Sequence, residues 1–144
     1  MKLPEPGNNP IYPDGTYQVR IVSHERTTSK GKGTPQIKWK AEIIEPKEHQ
    51  GRHMVLFTVL TTAALWKVSN LIGACGVEFP RDMDTDSASF DSLCELTHGR
   101  RTFWLNKVRE YNGAAQNDIV AFQVDPHQDS IKFSGEAEPE WLDK

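Results

Sequence analysis

The chain has 144 residues, of which 37% are hydrophobic and 26% charged, and a formal net charge of −3. This is room for one domain of ordinary globular composition, which argues against a disordered chain. No stretch approaches the roughly 20 apolar residues that span a bilayer, and Met1–Gly7 lacks the apolar core of a signal peptide, so a cytoplasmic protein without a membrane partner is expected.

Residues 1–14 are rich in Pro, Gly and Asn and read as an extended N-terminal arm. Pro13-Asp14-Gly15 is a turn signal, and Thr16–Ser23 alternates as a first strand with Tyr17, Val19 and Ile21 on one face. His24–Thr34 reads as a flexible basic loop with Arg26, Lys30, Lys32 and two glycines. Gln36–Glu45 alternates cleanly: Ile37, Trp39, Ala41 and Ile43 face one way, Lys38, Lys40 and Glu42 the other. Arg52–Leu60 is a third strand, rich in Val, Leu and Phe. Thr61 or Thr62 then caps a helix in which Leu65, Val68, Leu71, Ile72 and Cys75 recur at helical spacing, with Gly76 as a left-handed stop. Residues 77–88 form an acidic connection, and Ser89 caps a short second helix holding Phe90, Leu93 and Cys94, ended by Gly99. Arg100–Arg109 is a fourth strand, Tyr111-Asn112-Gly113 a turn, and Asn117–Val124 a fifth strand. The domain spans residues 15–126, and residues 127–144 read as an acidic C-terminal tail.

The modest net charge conceals blocks of opposite sign. Residues 15–81 hold ten Lys or Arg against five Asp or Glu, whereas residues 82–98 hold five acids and no Lys or Arg. Residues 99–124 sum to +2 and residues 125–144 to −4. The strands are thus basic, while the insertion and tail are acidic, a pattern that suits a polyanion-binding face with an interaction tail. The two cysteines, Cys75 and Cys94, sit among apolar residues and read as free, buried thiols.

Three strands, a helix and two strands is the order of the OB-fold, a five-stranded Greek-key barrel with its helix between strands three and four. A mainly β, OB-fold-like barrel with a short second helix is therefore expected. A series of short motifs points the same way: Pro13-Asp14-Gly15-Thr16-Tyr17, Thr28-Ser29-Lys30-Gly31-Lys32-Gly33-Thr34-Pro35, Gly51-Arg52, Ala64-Leu65-Trp66-Lys67, Leu96-Thr97-His98-Gly99-Arg100-Arg101 and Glu110-Tyr111-Asn112-Gly113. In order and spacing they resemble a phage and prophage family of OB-fold, single-stranded-DNA-binding-like proteins, long catalogued as a domain of unknown function. The resemblance runs from about Pro13 to Asp125 and implies a role in viral DNA replication or recombination; it supplies no catalytic residues.

A non-specific binder of single-stranded DNA needs cations for the phosphates and aromatic faces for the bases. Arg26, Lys30 and Lys32 in the first loop, Lys38 and Lys40 on one face of strand two, and Lys107 and Arg109 on one face of strand four are the expected phosphate contacts. Trp39 shares its strand face with Ile37 and Ile43 and is assigned to the core. Trp104 alternates with Thr102 and Asn106 and is the expected stacking platform, with Tyr111 at the loop mouth; Phe57 and Trp66 are assigned to packing. In the tail, Glu136, Glu138 and Glu140 lead to Trp141 and Leu142, a pattern similar to the acidic tails through which bacterial single-strand-binding proteins recruit replication partners, although here Asp143-Lys144 follow.

Enzymatic and metal readings find no support. Gly31-Lys32-Gly33-Thr34 lacks P-loop spacing and precedes a strand, and no Gly-x-Ser-x-Gly is present. His49 with His53, Cys94 with His98, and Asp82, Asp84 and Asp86 match neither a zinc nor a calcium pattern. The expected function is non-catalytic, cofactor-free binding of single-stranded DNA. The alternative is a protein–protein adaptor acting through the acidic insertion and tail. An oligosaccharide-binding or virion module is a more distant rival.

Overall fold

The computed structural model describes residues 10–80 and 82–132. Seven main elements follow one another: β1 (Gly15–Thr28), β2 (Pro35–Glu45), β3 (His53–Val59), α1 (Leu65–Ala74), α2 (Ala88–Glu95), β4 (Arg101–Tyr111) and β5 (Ala114–Val124). The five strands form one antiparallel sheet in the order β3-β2-β1-β4-β5.

One face of every strand is apolar and covered. Tyr17, Val19 and Ile21 of β1, Ile37, Trp39, Ala41 and Ile43 of β2, and Met54 and Leu56 of β3 are buried, together with Trp104 of β4 and Ile119 of β5. The period of two along each strand puts these side chains on a single surface. The helices close over it. α1 buries Val68, Leu71 and Ile72, and α2 buries Phe90, Leu93 and Cys94, as an apolar stripe at helical spacing requires. Within this interior the Trp39 indole Nε1 donates to Thr58 Oγ1 at 2.9 Å.

The expected closed barrel is not formed. The sheet is open, with β3 and β5 as its two edges and no ladder between them among the described residues. α1 packs against both edge strands, so helical side chains occupy the gap that a β3–β5 ladder would have closed.

Local signals set most element ends. Thr61 accepts the Ala64 N–H at 3.3 Å and so caps a short 3-10 turn, Thr62–Ala64, that leads into α1. The cap of α2 is Ser87, not the expected Ser89; its Oγ accepts the Phe90 N–H at 3.3 Å. Asn112 and Gly113 both have positive φ, 51° and 80°, and make the two-residue turn between β4 and β5.

The segment before β1 is pinned to the domain. Tyr12 is buried; its hydroxyl donates to the His53 carbonyl at 2.9 Å and its N–H to Asn117 Oδ1 at 3.0 Å. Asn106 Nδ2 donates to the Tyr12 carbonyl at 3.0 Å. A second pin joins β1, β4 and the chain after β5. Buried Asp125 accepts from Gln18 Nε2, Arg101 Nε and the His127 N–H, each at 2.9 Å. Burial acts to raise its carboxyl pKa, but these three donors outweigh it and hold the carboxyl below the usual range.

Candidate functional site

A β-bulge in β1 decides which cations face solvent. Up to Ile21 the odd-numbered residues of β1 point to the helix-covered face. The register then shifts between Ile21 and Ser23, and His24 pairs with Trp39, Arg26 with Ile37. A one-residue shift flips every later side chain to the opposite face. β1 also continues to Thr28, so the expected flexible loop shrinks to residues 29–34.

Arg26 therefore turns toward α2 while staying exposed. Its guanidinium lies 5.8 Å from the Phe90 ring centroid, 3.8 Å from Asp86, and donates to the Thr85 carbonyl. It ties the acidic connection and α2 to β1 rather than standing free for a phosphate. His24 turns toward α2 as well. Its Nε2 donates to Asp91 Oδ1 at 2.8 Å, which leaves Nδ1 to accept from His98 Nε2 at 2.8 Å. Burial, followed by the neighbouring His24, pushes the His98 pKa down, partly opposed by Glu95 and Asp91. This chain of two imidazoles and a carboxylate joins β1 to α2. The nearby Cys94 thiol is pushed up to about 12, chiefly by burial, so it is a poor nucleophile. Cys75 is raised to about 12 for the same reason, and both cysteines are free and buried, as expected. Among the described residues no group of three or more His, Cys, Asp or Glu side chains is arranged to hold a metal ion.

The outer face of β2 and β3 is different. Lys38 pairs with Phe57 across the ladder, and Lys40 pairs with Val55. Lys40 is exposed and Lys38 half-buried, while Phe57 is 48% exposed. Phe57, expected in packing, is instead an aromatic face open to solvent beside two cations. Its place in β3, between inward-facing Leu56 and Thr58, is the signal that strict alternation offered.

The β1–β2 hairpin continues this surface. Ser29 holds it: the Ser29 N–H donates to the Thr34 carbonyl at 2.8 Å, and Ser29 Oγ accepts the Thr34 N–H at 3.0 Å. Gly31 and Gly33, with φ of 87° and 67°, make the reversal that leaves Lys30 and Lys32 exposed at its tip. Thr28 pairs with Pro35 at the hairpin mouth, so Lys38 sits about 10 Å further along β2, at about 3.3 Å per residue. Lys30, Lys32, Lys38 and Lys40 make no ion pair within the described residues, whereas Arg26, Arg101 and Arg109 each hold a carboxylate.

The remaining expected residues lie elsewhere. Trp104 is fully buried and stacks edge-on against Phe122, ring centroids 6.2 Å apart, so it offers no platform to a base. Both phases of β4 carry apolar residues, and the helix-covered face takes the one containing Trp104, opposite Tyr17. Arg109 pairs with Asp118 at 2.7 Å, and Lys107 stands opposite the same Asp118 in the ladder. Both lie beyond Gly15, at the end of β1 opposite the lysine hairpin, as does Tyr111 at the end of β4. Glu136, Glu138, Glu140, Trp141 and Leu142 lie outside the described residues. No helix among those residues is long and apolar enough to cross a membrane.

The class so defined is an open five-stranded antiparallel sheet with two helices on one face and a lysine-flanked aromatic on the other. A family model described as "Protein of unknown function (DUF669)" matches residues 8–96, from the arm through α2, and the chain belongs to that family. No curated protein matches it.

Proposed function

We propose that the chain binds single-stranded DNA, with little sequence preference and without catalysis, along the outer face of β2 and β3 and the β1–β2 hairpin. One observation carries the reading: the exposed Phe57 ring stands beside Lys38 and Lys40, which have no ion-pair partner among the described residues, with Lys30 and Lys32 at the adjoining hairpin tip. A base stacks on an aromatic face whatever its identity, and each phosphate wants an uncommitted cation within reach. The reading does not depend on a closed barrel, because the surface lies on the open sheet. Its setting, phage-type replication or recombination, is supported by the resemblance of the motif series described above.

Fluorescence anisotropy with labelled oligo-dT and with duplex DNA tests it. Phe57→Ala should weaken oligo-dT binding by about 5- to 150-fold, the worth of one stacked base at about 1–3 kcal/mol. Unchanged affinity in Phe57→Ala, or no binding of the wild-type chain to oligo-dT at low salt, overturns the proposal.

A further inference from the structure

One side chain of β1 holds α2 at two points. After the bulge that follows Ile21, the His24 side chain is only 7% exposed. Its Nε2 donates to Asp91 Oδ1 within α2 at 2.8 Å, and its Nδ1 meets His98 Nε2, in the turn after α2, at 2.8 Å. The two imidazole centroids are 4.9 Å apart, and the Trp39 ring of β2 lies 5.9 Å from that of His24. α2 has eight residues, and an isolated helix shorter than about 12 residues is marginal in water, so it depends on what it docks against. Phe90, Leu93 and Cys94 supply the apolar part of that docking. The polar part is the His24 imidazole, together with Arg26, which reaches Asp86 and the Thr85 carbonyl just ahead of the helix.

The charged and titratable groups facing the imidazole pair come from two elements. α2 presents Asp91, Glu95 and Cys94, and β1 presents Arg26, while β2 offers the Trp39 ring, which does not titrate. The Cys94 thiol, pushed up to about 12, stays neutral, and Arg26 is engaged by Asp86. Asp91 and Glu95 thus attract a proton to the pair, while burial and the second ring resist it.

Counting protons shows where the joint breaks. With Asp91 ionised and both rings neutral, His24 donates through Nε2 and accepts at Nδ1, and His98 Nδ1 keeps a lone pair. The first proton goes onto that His98 Nδ1. His98 becomes a cation but still donates through Nε2, so the chain from His98 through His24 to Asp91 stays whole. The second proton goes onto His24 Nδ1, the remaining ring nitrogen with a lone pair. An N–H then faces an N–H at 2.8 Å, between two positive rings. A hydrogen bond is replaced by like-charge repulsion. We propose that His24, His98 and Asp91 form an acid-released latch: two protons end the hold of β1 on α2, which then opens locally while the five-stranded sheet stays folded. The sheet is spared because its ladders are uncharged main-chain bonds in which the His24 side chain takes no part. The latch is independent of the nucleic-acid reading.

Hydrogen exchange of the full chain, followed by mass spectrometry and corrected for the intrinsic pH dependence of exchange, tests it. Between about pH 7.5 and 4.5, peptides covering residues 88–95 should lose protection by about tenfold, the worth of one hydrogen bond to a charged group, while peptides covering residues 37–43 of β2 keep theirs. His98→Gln should abolish that loss. A glutamine amide donates to neutral His24 and can turn its carbonyl to protonated His24, so it holds the joint in both states. Unchanged protection of α2 in acid overturns the latch, and so does an equal loss in His98→Gln. A loss shared equally by β2 is unfolding of the whole domain and overturns it as well.

Discussion

Arg26 and Lys38 each stand near an aromatic ring, on neighbouring strands of one sheet, and they do opposite things. Arg26 lies over Phe90 and is held by Asp86 and the Thr85 carbonyl, so its charge is spent on joining α2 to β1. Lys38 lies beside Phe57 on the outer face, with no carboxylate to hold it among the described residues. The residue types are alike; the face is not. A single bulge after Ile21 turns Arg26 toward the helices, while unbroken alternation in β2 keeps Lys38 and Lys40 outside. A cation next to an aromatic is thus left open to solvent on one side of this sheet and is a structural pin on the other.

That contrast is sharpest in the tryptophans. Replacing Trp104 by Ala should cost about 3–5 kcal/mol of stability in urea unfolding, because a fully buried indole leaves a large cavity. A loss below about 1 kcal/mol, typical of exposed sites, would break the distinction between the two faces. Arg26→Ala is expected to cost about 1 kcal/mol through its cation–π and ion-pair contacts, while leaving oligo-dT affinity unchanged. If affinity fell with it, Arg26 would belong to the binding surface after all.

Acid provides a smaller probe of the inner pins. His98 has a lowered pKa in the fold, so the unfolded chain takes up its proton more readily. Stability is therefore greatest above about pH 6.5 and declines as pH falls through the folded pKa. Thermal melts from pH 7.5 to 5 should show that decline, and His98→Gln should reduce it. Asp125 acts in the same direction at lower pH: its carboxyl is held below the usual range, and its contribution fades as pH falls through the folded pKa. Asp125→Asn should flatten the acid decline expected of the wild-type chain in the same melts carried to lower pH.

The smallest expected effect on stability is the most informative one. Lys38→Gln with Lys40→Gln should change unfolding free energy by no more than about 0.5 kcal/mol, as for surface sites without partners. The same double change should flatten the slope of log affinity against log salt for oligo-dT by about 1.4, from about 0.7 per phosphate contact on single strands. A large stability loss with an unchanged salt slope would make the outer lysines structural and erase the contrast with Arg26.

Much of the frame was legible before folding was considered. Alternation in β2 sorted Ile37, Trp39, Ala41 and Ile43 from Lys38 and Lys40, and helical spacing located α1. The Asn112-Gly113 turn and the glycine stops at Gly76 and Gly99 were read from residue type, since positive φ suits Gly and Asn. The lysine hairpin was recognised, but its aromatic was not. In β4, Trp104 shares its phase with the polar Thr102 and Asn106, which points to an exposed ring, yet alternation alone does not say which phase a helix will cover.

The sequence by itself therefore determined the local order: which segments are strands, that a helix follows β3, how the hairpins turn, and which cations cluster. Those properties follow from backbone propensity and side-chain periodicity over a few residues. Tertiary structure alone decided that the sheet stays open with α1 against both edges, that Arg26 and His24 turn toward α2, and that the helices cover the phase of β4 that holds Trp104. The reason is physical: burial is a property of contacts between distant segments, and one extra residue in a strand reverses every face that follows it.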